Sequence, residues 1–234
     1  MVQCVVIADD LTGANATGVM LKKLNLKTIT LMNSEKIELK NLANYDVITY
    51  PTDSRSIDKE IAYNRVYNVA KLLDSPNIKL YNKRIDSTLR GNLGAEIDGI
   101  LEGLQGNKIA IVVPAFPQAG RTAVGGYLLV NGMMLQKTDA AKDPRNPIST
   151  SIIETLISKQ TKYKVKSIFL DTVYKGEAEI KNEILKAVGE GNRIIVIDAL
   201  QVEDLDVIAN AVIESKIPFV TIDPGPFTEV VARK

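Results

Sequence analysis

Short apolar runs alternate with amphipathic patterns along almost the whole chain. The runs predict buried strands at 5–8, 28–32, 47–50, 79–85, 109–113, 167–170, 194–197 and 219–222. Between them, apolar residues recur at the spacing of helices that pack on a core, at 14–24, 62–73, 93–104, 180–188 and 202–212. Strands that alternate with helices predict an α/β fold, here a Rossmann-like, mostly parallel sheet with helices on both faces.

Local signals refine this plan. Ser56 and Asn92 each precede a helical pattern and are predicted N-caps, and Gly106 is predicted to end the second of these helices. The Asn131-Gly132 pair lies between apolar residues, which predicts a β-hairpin. We expect a small lobe or β-hairpin insertion at about 120–140, within a single domain that spans residues 1–234.

Composition excludes several kinds of chemistry. The chain has no histidine and one cysteine, so it cannot form a Ser-His-Asp site, a His- or thiolate-ligated metal site or an internal disulfide. Cys4 lies in the first apolar run and is predicted to be a buried strand residue. The 29 basic and 28 acidic residues nearly cancel, which provides no field for nucleic acid or a membrane surface. Without a signal peptide or a long apolar segment, we expect a cytoplasmic protein.

Two adjacent aspartates, Asp9 and Asp10, follow the first predicted strand. In open α/β sheets, ligands bind beyond the carboxyl ends of the strands. A carboxylate at this position could accept a proton from a substrate hydroxyl or hold a metal ion. The alternative is that Asp10 or Thr12 simply caps the following helix.

The sequence KRIDSTLRGN at 83–92 is a second polar cluster, placed after the strand predicted at 79–85. Arg84 and Arg90 would present planar donors to a carboxylate or a phosphate, and Gly91 permits close backbone approach. Asp86 and Ser87 add polar groups in the same turn. The alternative is a surface ion-pair network formed by Arg84, Asp86 and Arg90.

Two further loops carry an arginine. Arg55 ends the sequence TDSR at 52–55, which could be a ligand-binding cluster or, equally, a turn with a helix cap. Arg121 ends the loop predicted at 114–121 and could reach a ligand, although this loop of two prolines and a glycine could be purely architectural. No nucleotide site is recognisable: GANATG at 13–18 lacks the lysine of a phosphate-binding loop, and no Gly-x-Gly-x-x-Gly follows the first strand.

Taken in order, these clusters and the motifs that follow them resemble the four-carbon acid sugar kinase family, specifically its N-terminal sugar-binding domain. The matching motifs are IADDLTGAN at 7–15, TDSR at 52–55, KRIDSTLRG at 83–91, PAFP at 114–117, GRT at 120–122, GGYLLVNG at 125–132, DP at 143–144 and DPGPF at 223–227. The resemblance therefore runs from one end of the chain to the other.

The resemblance implies an enzyme of two α/β domains. The N-terminal domain binds a four-carbon sugar acid such as threonate, erythronate or 3-oxo-tetronate, and the C-terminal domain binds ATP with Mg²⁺ to phosphorylate the terminal hydroxyl. This sequence stops at Lys234, where the family continues into its nucleotide-binding domain. We therefore expect that domain to lie outside this chain, and the chain alone to be inactive. A truncation, a split gene and a degraded protein remain alternative explanations.

Residue chemistry suggests roles at the matching positions. Arg84, Arg90 and Arg55 suit the carboxylate of the acid, because guanidinium groups bind carboxylates as planar forks. The side chains of Asn15, Asp86 and Ser87 suit the hydroxyl groups of the acid. We expect Asp10 to orient the hydroxyl that attacks the phosphate, and Asp9 is the second candidate for this role. Gly91 and Arg121 complete the predicted substrate-binding set.

A stand-alone module that binds a sugar acid without catalysing a reaction is the alternative function. It would be distinguished by whether a partner chain with a nucleotide-binding domain restores kinase activity. The expected partners are a small sugar acid and that domain, with no nucleic acid and no membrane. An exposed hairpin near Asn131 could also join a second copy of the chain.

Overall fold

A computed structural model describes residues 2–32 and 38–234. Its strands are β1 (Cys4–Ala8), β2 (Thr28–Thr30), β3 (Val47–Pro51), β4 (Leu80–Arg84), β5 (Ile109–Val112), β6 (Arg121–Val124), β7 (Tyr127–Val130), β8 (Met133–Met134), β9 (Val165–Ile168), β10 (Ile194–Ile197) and β11 (Phe219–Asp223). Its α-helices are α1 (Leu11–Lys23), α2 (Lys59–Leu73), α3 (Leu93–Gly103), α4 (Ile153–Ser158), α5 (Leu170–Val173), α6 (Glu177–Gly189), α7 (Val202–Glu214) and α8 (Pro226–Arg233).

Eight of the strands form one sheet in the order β2-β3-β1-β4-β11-β5-β10-β9. Every neighbouring pair in this sheet is parallel. The predicted α/β class with a mostly parallel sheet is therefore confirmed. Because parallel strands need crossovers, helices cover both faces of the sheet.

The core consists of two apolar layers, one on each face of the sheet. Alternation along β1 sends Val5 and Ile7 to the layer under α2, α3 and α4, and Val6 to the layer under α1, α6, α7 and α8. Cys4 points to the second layer and is buried, as predicted. Burial raises the pKa of its thiol to about 12.

The predicted hairpin is also confirmed, as part of a small antiparallel sheet in the order β6-β7-β8. Asn131 and Gly132 connect β7 to β8 with φ values of 50° and 78°, as a type I′ turn requires. This sheet is attached to the carboxyl end of β10, because Ala123 N donates to Ala199 O at 2.9 Å and Gly126 N donates to Asp198 Oδ2 at 3.1 Å.

Several local predictions were wrong. Asp58, and not Ser56, caps helix α2, by accepting a hydrogen bond from Glu60 N. Asn92 is at the N-cap position of α3 as predicted, but its side chain makes no capping hydrogen bond. Helix α3 ends at Gly103, before Gly106.

Four elements were not predicted: β6, α4, α5 and α8. Strand β6 and helices α4 and α5 have only 4, 6 and 4 residues, too few to show a clear apolar period. Helix α8 does place Phe227, Val230 and Val231 at helical spacing, and that signal was missed. Arg121, which was expected to end a loop, begins β6. None of the described helices combines the length and apolar character that a membrane crossing requires.

Helices α2 and α3 lie unusually close together because glycines face the contact. A Cβ built on Gly99 would lie 2.7 Å from Tyr63 O, and one on Gly103 would lie 2.6 Å from Tyr67 O. Since backbone atoms cannot move aside independently, only glycine allows this approach.

We therefore expect Gly99→Ala to destabilise the protein by about 2 kcal/mol, although alanine favours helices, because the helices must separate. Urea unfolding measures the loss. The matched control is Gly189→Ala in α6, where a new Cβ would meet nothing within 4 Å. That variant should be as stable as the parent or more stable. Equal losses in the two variants would contradict the close-packing argument.

Candidate functional site

The polar clusters after β1, β3 and β4 meet at one place in the sheet. Strands β1 and β4 are neighbours, and the chain leaves β1 towards β2 but leaves β4 towards β5, on the other side. In open α/β sheets, ligands bind beyond the carboxyl ends of the strands at the point where the winding direction reverses. Asp9 and Asp10 follow β1, Arg55 follows β3, and the loop of residues 85–92 follows β4.

Arg55 lies at the centre of this cluster. Its Nε and Nη2 donate to the two carboxylate oxygens of Asp9 at 2.6 and 3.1 Å. Its Nη1 lies 2.9 Å from Asp10 Oδ2, and its Nη2 lies 3.9 Å from Asp86 Oδ1. One guanidinium thus holds the adjacent aspartates, whose charges would otherwise repel each other.

Asp86 organises the loop that follows β4. Arg90 grips it with two hydrogen bonds, from Nε at 2.7 Å and from Nη2 at 3.1 Å. The Thr88 hydroxyl donates at 2.5 Å. Burial acts to raise the pKa of Asp86, but these hydrogen bonds and the charges of Arg90 and Arg55 lower it to about 2.

Arg84 is the least satisfied cation of the cluster. Its side chain is only 10% exposed, and its Nη1 lies 3.9 Å from Asp9 Oδ1. Within residues 2–32 and 38–234 the guanidinium donates no hydrogen bond, and its Nε is fully buried without a partner. A cation buried in this way has unused donors for an anionic ligand.

Two glycines give the arginines their space. A Cβ on Gly13 would lie 2.7 Å from Arg84 Nη1, so the guanidinium packs against the first turn of α1. Gly91 has φ of +100°, and a Cβ there would lie 3.0 Å from Arg55 O. The close approach expected at Gly91 is therefore made by protein backbone.

The two aspartates differ in their freedom. The side chain of Asp9 is 3% exposed and is occupied by the Arg55 fork. The side chain of Asp10 is 28% exposed. Asp10 also caps α1 by accepting a hydrogen bond from Gly13 N at 2.6 Å. Asp10 is therefore both a helix cap and a member of the charged cluster.

Other predicted residues are not drawn into this network by any contact of the described structure. The Asn15 side chain is exposed and accepts a hydrogen bond from Thr30 on β2. Arg121 Nη1 donates to Ala119 O within its own loop. Ser87 is half-buried, and its hydroxyl makes no hydrogen bond within the described part of the chain.

Three residues of the site were not predicted. Asp143 Oδ2 accepts a hydrogen bond from Arg90 Nη1 at 3.0 Å, which ties the segment after β8 to the cluster. Asn92 Nδ2 donates to Ser54 O and Ile57 O, both at 2.9 Å. Glu96 forms a buried ion pair with Lys83 beneath the cluster. The DP motif at 143–144 was the only sequence signal for Asp143.

Across residues 2–32 and 38–234, no three acidic or cysteine side chains are grouped so that they could hold a metal ion. Four cavities of about 300 to 620 Å³ are lined by other residues. The cluster borders none of these four.

Comparison with known proteins gives a family match over nearly the whole chain. Residues 4–231 match the family model described as the sugar-binding N-terminal domain. The chain is 44% identical over 232 residues to a D-erythronate kinase of Heliobacterium modesticaldum, covering 99% of this chain and 53% of that protein. It is 37% identical over 211 residues to a D-threonate kinase of Salmonella typhimurium, covering 90% and 48%. The chain thus spans about half the length of these curated relatives.

A solved structure shares the fold. A Bordetella bronchiseptica protein, described as a domain of unknown function with bound citrate and as a domain-swapped dimer, superposes with a TM-score of 0.82 at 28% identity. The alignment covers 98% of this chain and 55% of that one. The α/β architecture is therefore common to both proteins.

The low pKa of Asp86 predicts how stability depends on pH. The ionised carboxylate is favoured in the folded state, so its contribution is complete above the unfolded pKa near 4 and is lost as the pH falls towards 2. We expect Asp86→Asn to cost about 2 kcal/mol at pH 7 and about half of that at pH 3. Urea unfolding at both pH values measures this. A loss of stability that does not change with pH would contradict the low pKa of Asp86. The control is Asp143→Asn, which should cost less stability at pH 7 because Asp143 is more exposed.

Proposed function

Since the chain belongs to the family of sugar-binding N-terminal domains, we propose that it is the acid-binding half of an ATP-dependent kinase that phosphorylates a four-carbon sugar acid on its terminal hydroxyl. Support comes from the relatives, which are named as kinases of D-erythronate and D-threonate. We propose an acid of this class as the substrate, including 3-oxo-tetronate.

The observation that carries the proposal is the guanidinium of Arg84, which donates no hydrogen bond to the described residues. Arg55 and Arg90 are already engaged by Asp9, Asp10, Asp86 and Asp143. Arg84 sits against the start of α1, where the helix dipole also favours negative charge. We propose that it binds the substrate carboxylate. The related Bordetella structure holds citrate, which is also a small hydroxy acid.

The hydroxyl groups of the acid are assigned to the loop after β4. Ser87 offers a hydroxyl that makes no hydrogen bond among the described residues, next to Asp86. Arg55 and Arg90 serve mainly to fix the aspartates in place, and Gly91 serves mainly to admit Arg55. Asn15 and Arg121 remain proposed contacts, since both flank the same carboxyl edge of the sheet.

Asp10 is the proposed group that orients the attacking hydroxyl. Its greater exposure leaves it accessible, whereas Asp9 is buried behind Arg55. A carboxylate that accepts a hydrogen bond from the hydroxyl aligns its oxygen for attack. Asp9 then contributes charge balance beneath it.

The residues described above are not proposed to bind the phosphoryl donor. ATP and Mg²⁺ belong, in this proposal, to a nucleotide-binding domain that partners this one. We propose that the partner domain also holds the cation. This chain contributes the binding and orientation of the acid.

The cellular setting is part of the proposal. A small polar metabolite as substrate suits a cytoplasmic enzyme without nucleic acid or membrane as partner. Self-association is supported by the Bordetella protein, which is described as a domain-swapped dimer.

We expect Arg84→Met to weaken binding of D-erythronate or D-threonate at least tenfold, because the carboxylate loses the uncommitted cation of the cluster. Isothermal titration calorimetry measures the affinity, and Tm should change little. Arg233→Met is the matched control, since that arginine pairs with Asp206 on the surface away from the cluster. If the Arg84 variant binds as the parent does, the carboxylate assignment is wrong.

We expect Asp10→Asn to reduce turnover at least a hundredfold with less than a tenfold change in acid affinity, because amide and carboxylate differ in basicity more than in shape. Turnover is assayed with a nucleotide-binding partner domain supplied, and affinity by calorimetry. Equal losses would assign Asp10 to binding alone. If the parent chain binds the acid but no partner domain restores turnover, the chain is a binding module.

A further inference from the structure

A charged pair lies inside the protein directly beneath the site. Lys83 Nζ is 2.8 Å from Glu96 Oε2, and the two side chains are 0% and 2% exposed. Lys83 is in β4, and Glu96 is in the first turn of α3. Neither residue belongs to the acid-binding set described above.

Stability alone does not account for this pair. Removing two charges from water costs several kcal/mol for each ion, and apolar residues of similar volume often stabilise a core equally well or better. Burial raises the pKa of Glu96, although the nearby ammonium of Lys83 acts in the opposite direction. The pair is therefore maintained against a cost.

The position of the pair suggests what that cost achieves. Lys83 and Glu96 stand on either side of residues 85–92, which we call the acid-binding loop. Lys83 Nζ also donates to Arg84 O at 2.8 Å, at the last position of β4. One ammonium thus joins the end of the strand, which carries Arg84, to the first turn of the helix.

The acid-binding loop needs such a constraint. Leu89 within it has φ of 56°, a left-handed conformation that is strained for a residue other than glycine. Strained conformations persist only where the surroundings fix them. Without the ammonium, Arg84 O would also lose this hydrogen bond inside the protein, and the loss of a buried hydrogen bond favours rearrangement.

We propose that Lys83 and Glu96 are positioning residues, which clamp the two ends of the acid-binding loop so that Arg84 and the loop keep the geometry that binds the acid. This inference rests on the proposed function, since it assumes that the loop contacts the substrate. It assigns to the buried pair a role in ligand affinity and not in folding.

The test replaces both charges with apolar side chains in the double variant K83M/E96L. We expect Tm within a few degrees of the parent or higher, because the buried charges are gone, and at least tenfold weaker binding of D-erythronate or D-threonate by calorimetry. If this variant does not fold, K83M/E96Q keeps the side-chain volumes closer to the original and is measured in its place. Failure of both variants to fold would overturn the proposal, since the pair would then be needed for folding.

The matched control is E102Q/K162M. It removes an ion pair of 2.6 Å from the same helix, but one that is partly exposed and away from the acid-binding loop. Its affinity should equal that of the parent. If the parent and K83M/E96L bind the acid equally, the positioning role is wrong while the proposed function stands. If the parent binds neither acid at millimolar concentration, both fail.

Discussion

Arg55 allows two neighbouring carboxylates to exist at the end of a strand. Asp9 is buried, and Asp10 lies beside it on a helix N-terminus, so their mutual repulsion would be felt in a region of low dielectric. The guanidinium contacts both, and it reaches towards Asp86 on the next loop as well. The loops after β1, β3 and β4 are thereby held around one planar cation.

From this centre the charges alternate outward. Arg90 connects Asp86 to Asp143, and Arg84 stands on the other side of Asp9. Each carboxylate has a cationic neighbour, so the network is close to neutral and can be packed tightly. Among the cations of this network, only Arg84 has no close carboxylate partner within the described part of the chain, because its contact with Asp9 is 3.9 Å long. A ligand anion would complete the alternation at that position.

The sheet and most of the cluster could be predicted from the sequence, because both follow from short-range patterns. Apolar runs locate the strands, and residues that follow parallel strands must meet at one edge. Arg55, Arg84, Asp86 and Arg90 were found by this rule. The alternative of an ion-pair network is seen for Arg90 and Asp86, whereas Arg84 contacts Asp9 instead, at 3.9 Å. A residue that binds a ligand need not be free of protein partners.

Long-range pairings could not be predicted in this way. Asp143 meets Arg90 across 53 residues of chain, through a small sheet whose placement no local pattern specifies. Lys83 looked like one cation among three, and only the rotation of α3 turns Glu96 towards it. Asn15 lies one turn into α1, where a small change of helix phase directs its side chain to Thr30.

The glycine contact between α2 and α3 sets the distance between the loops of the charged cluster. Both helices begin just after loops of the charged cluster, so the distance between their axes sets how far apart those loops stand. Gly99 lies six residues beyond Leu93, or about 9 Å along the helix at the usual rise per residue. The spacing of these loops is thus determined at a point remote from them, because Gly99 and Gly103 place no side chain between the two helices.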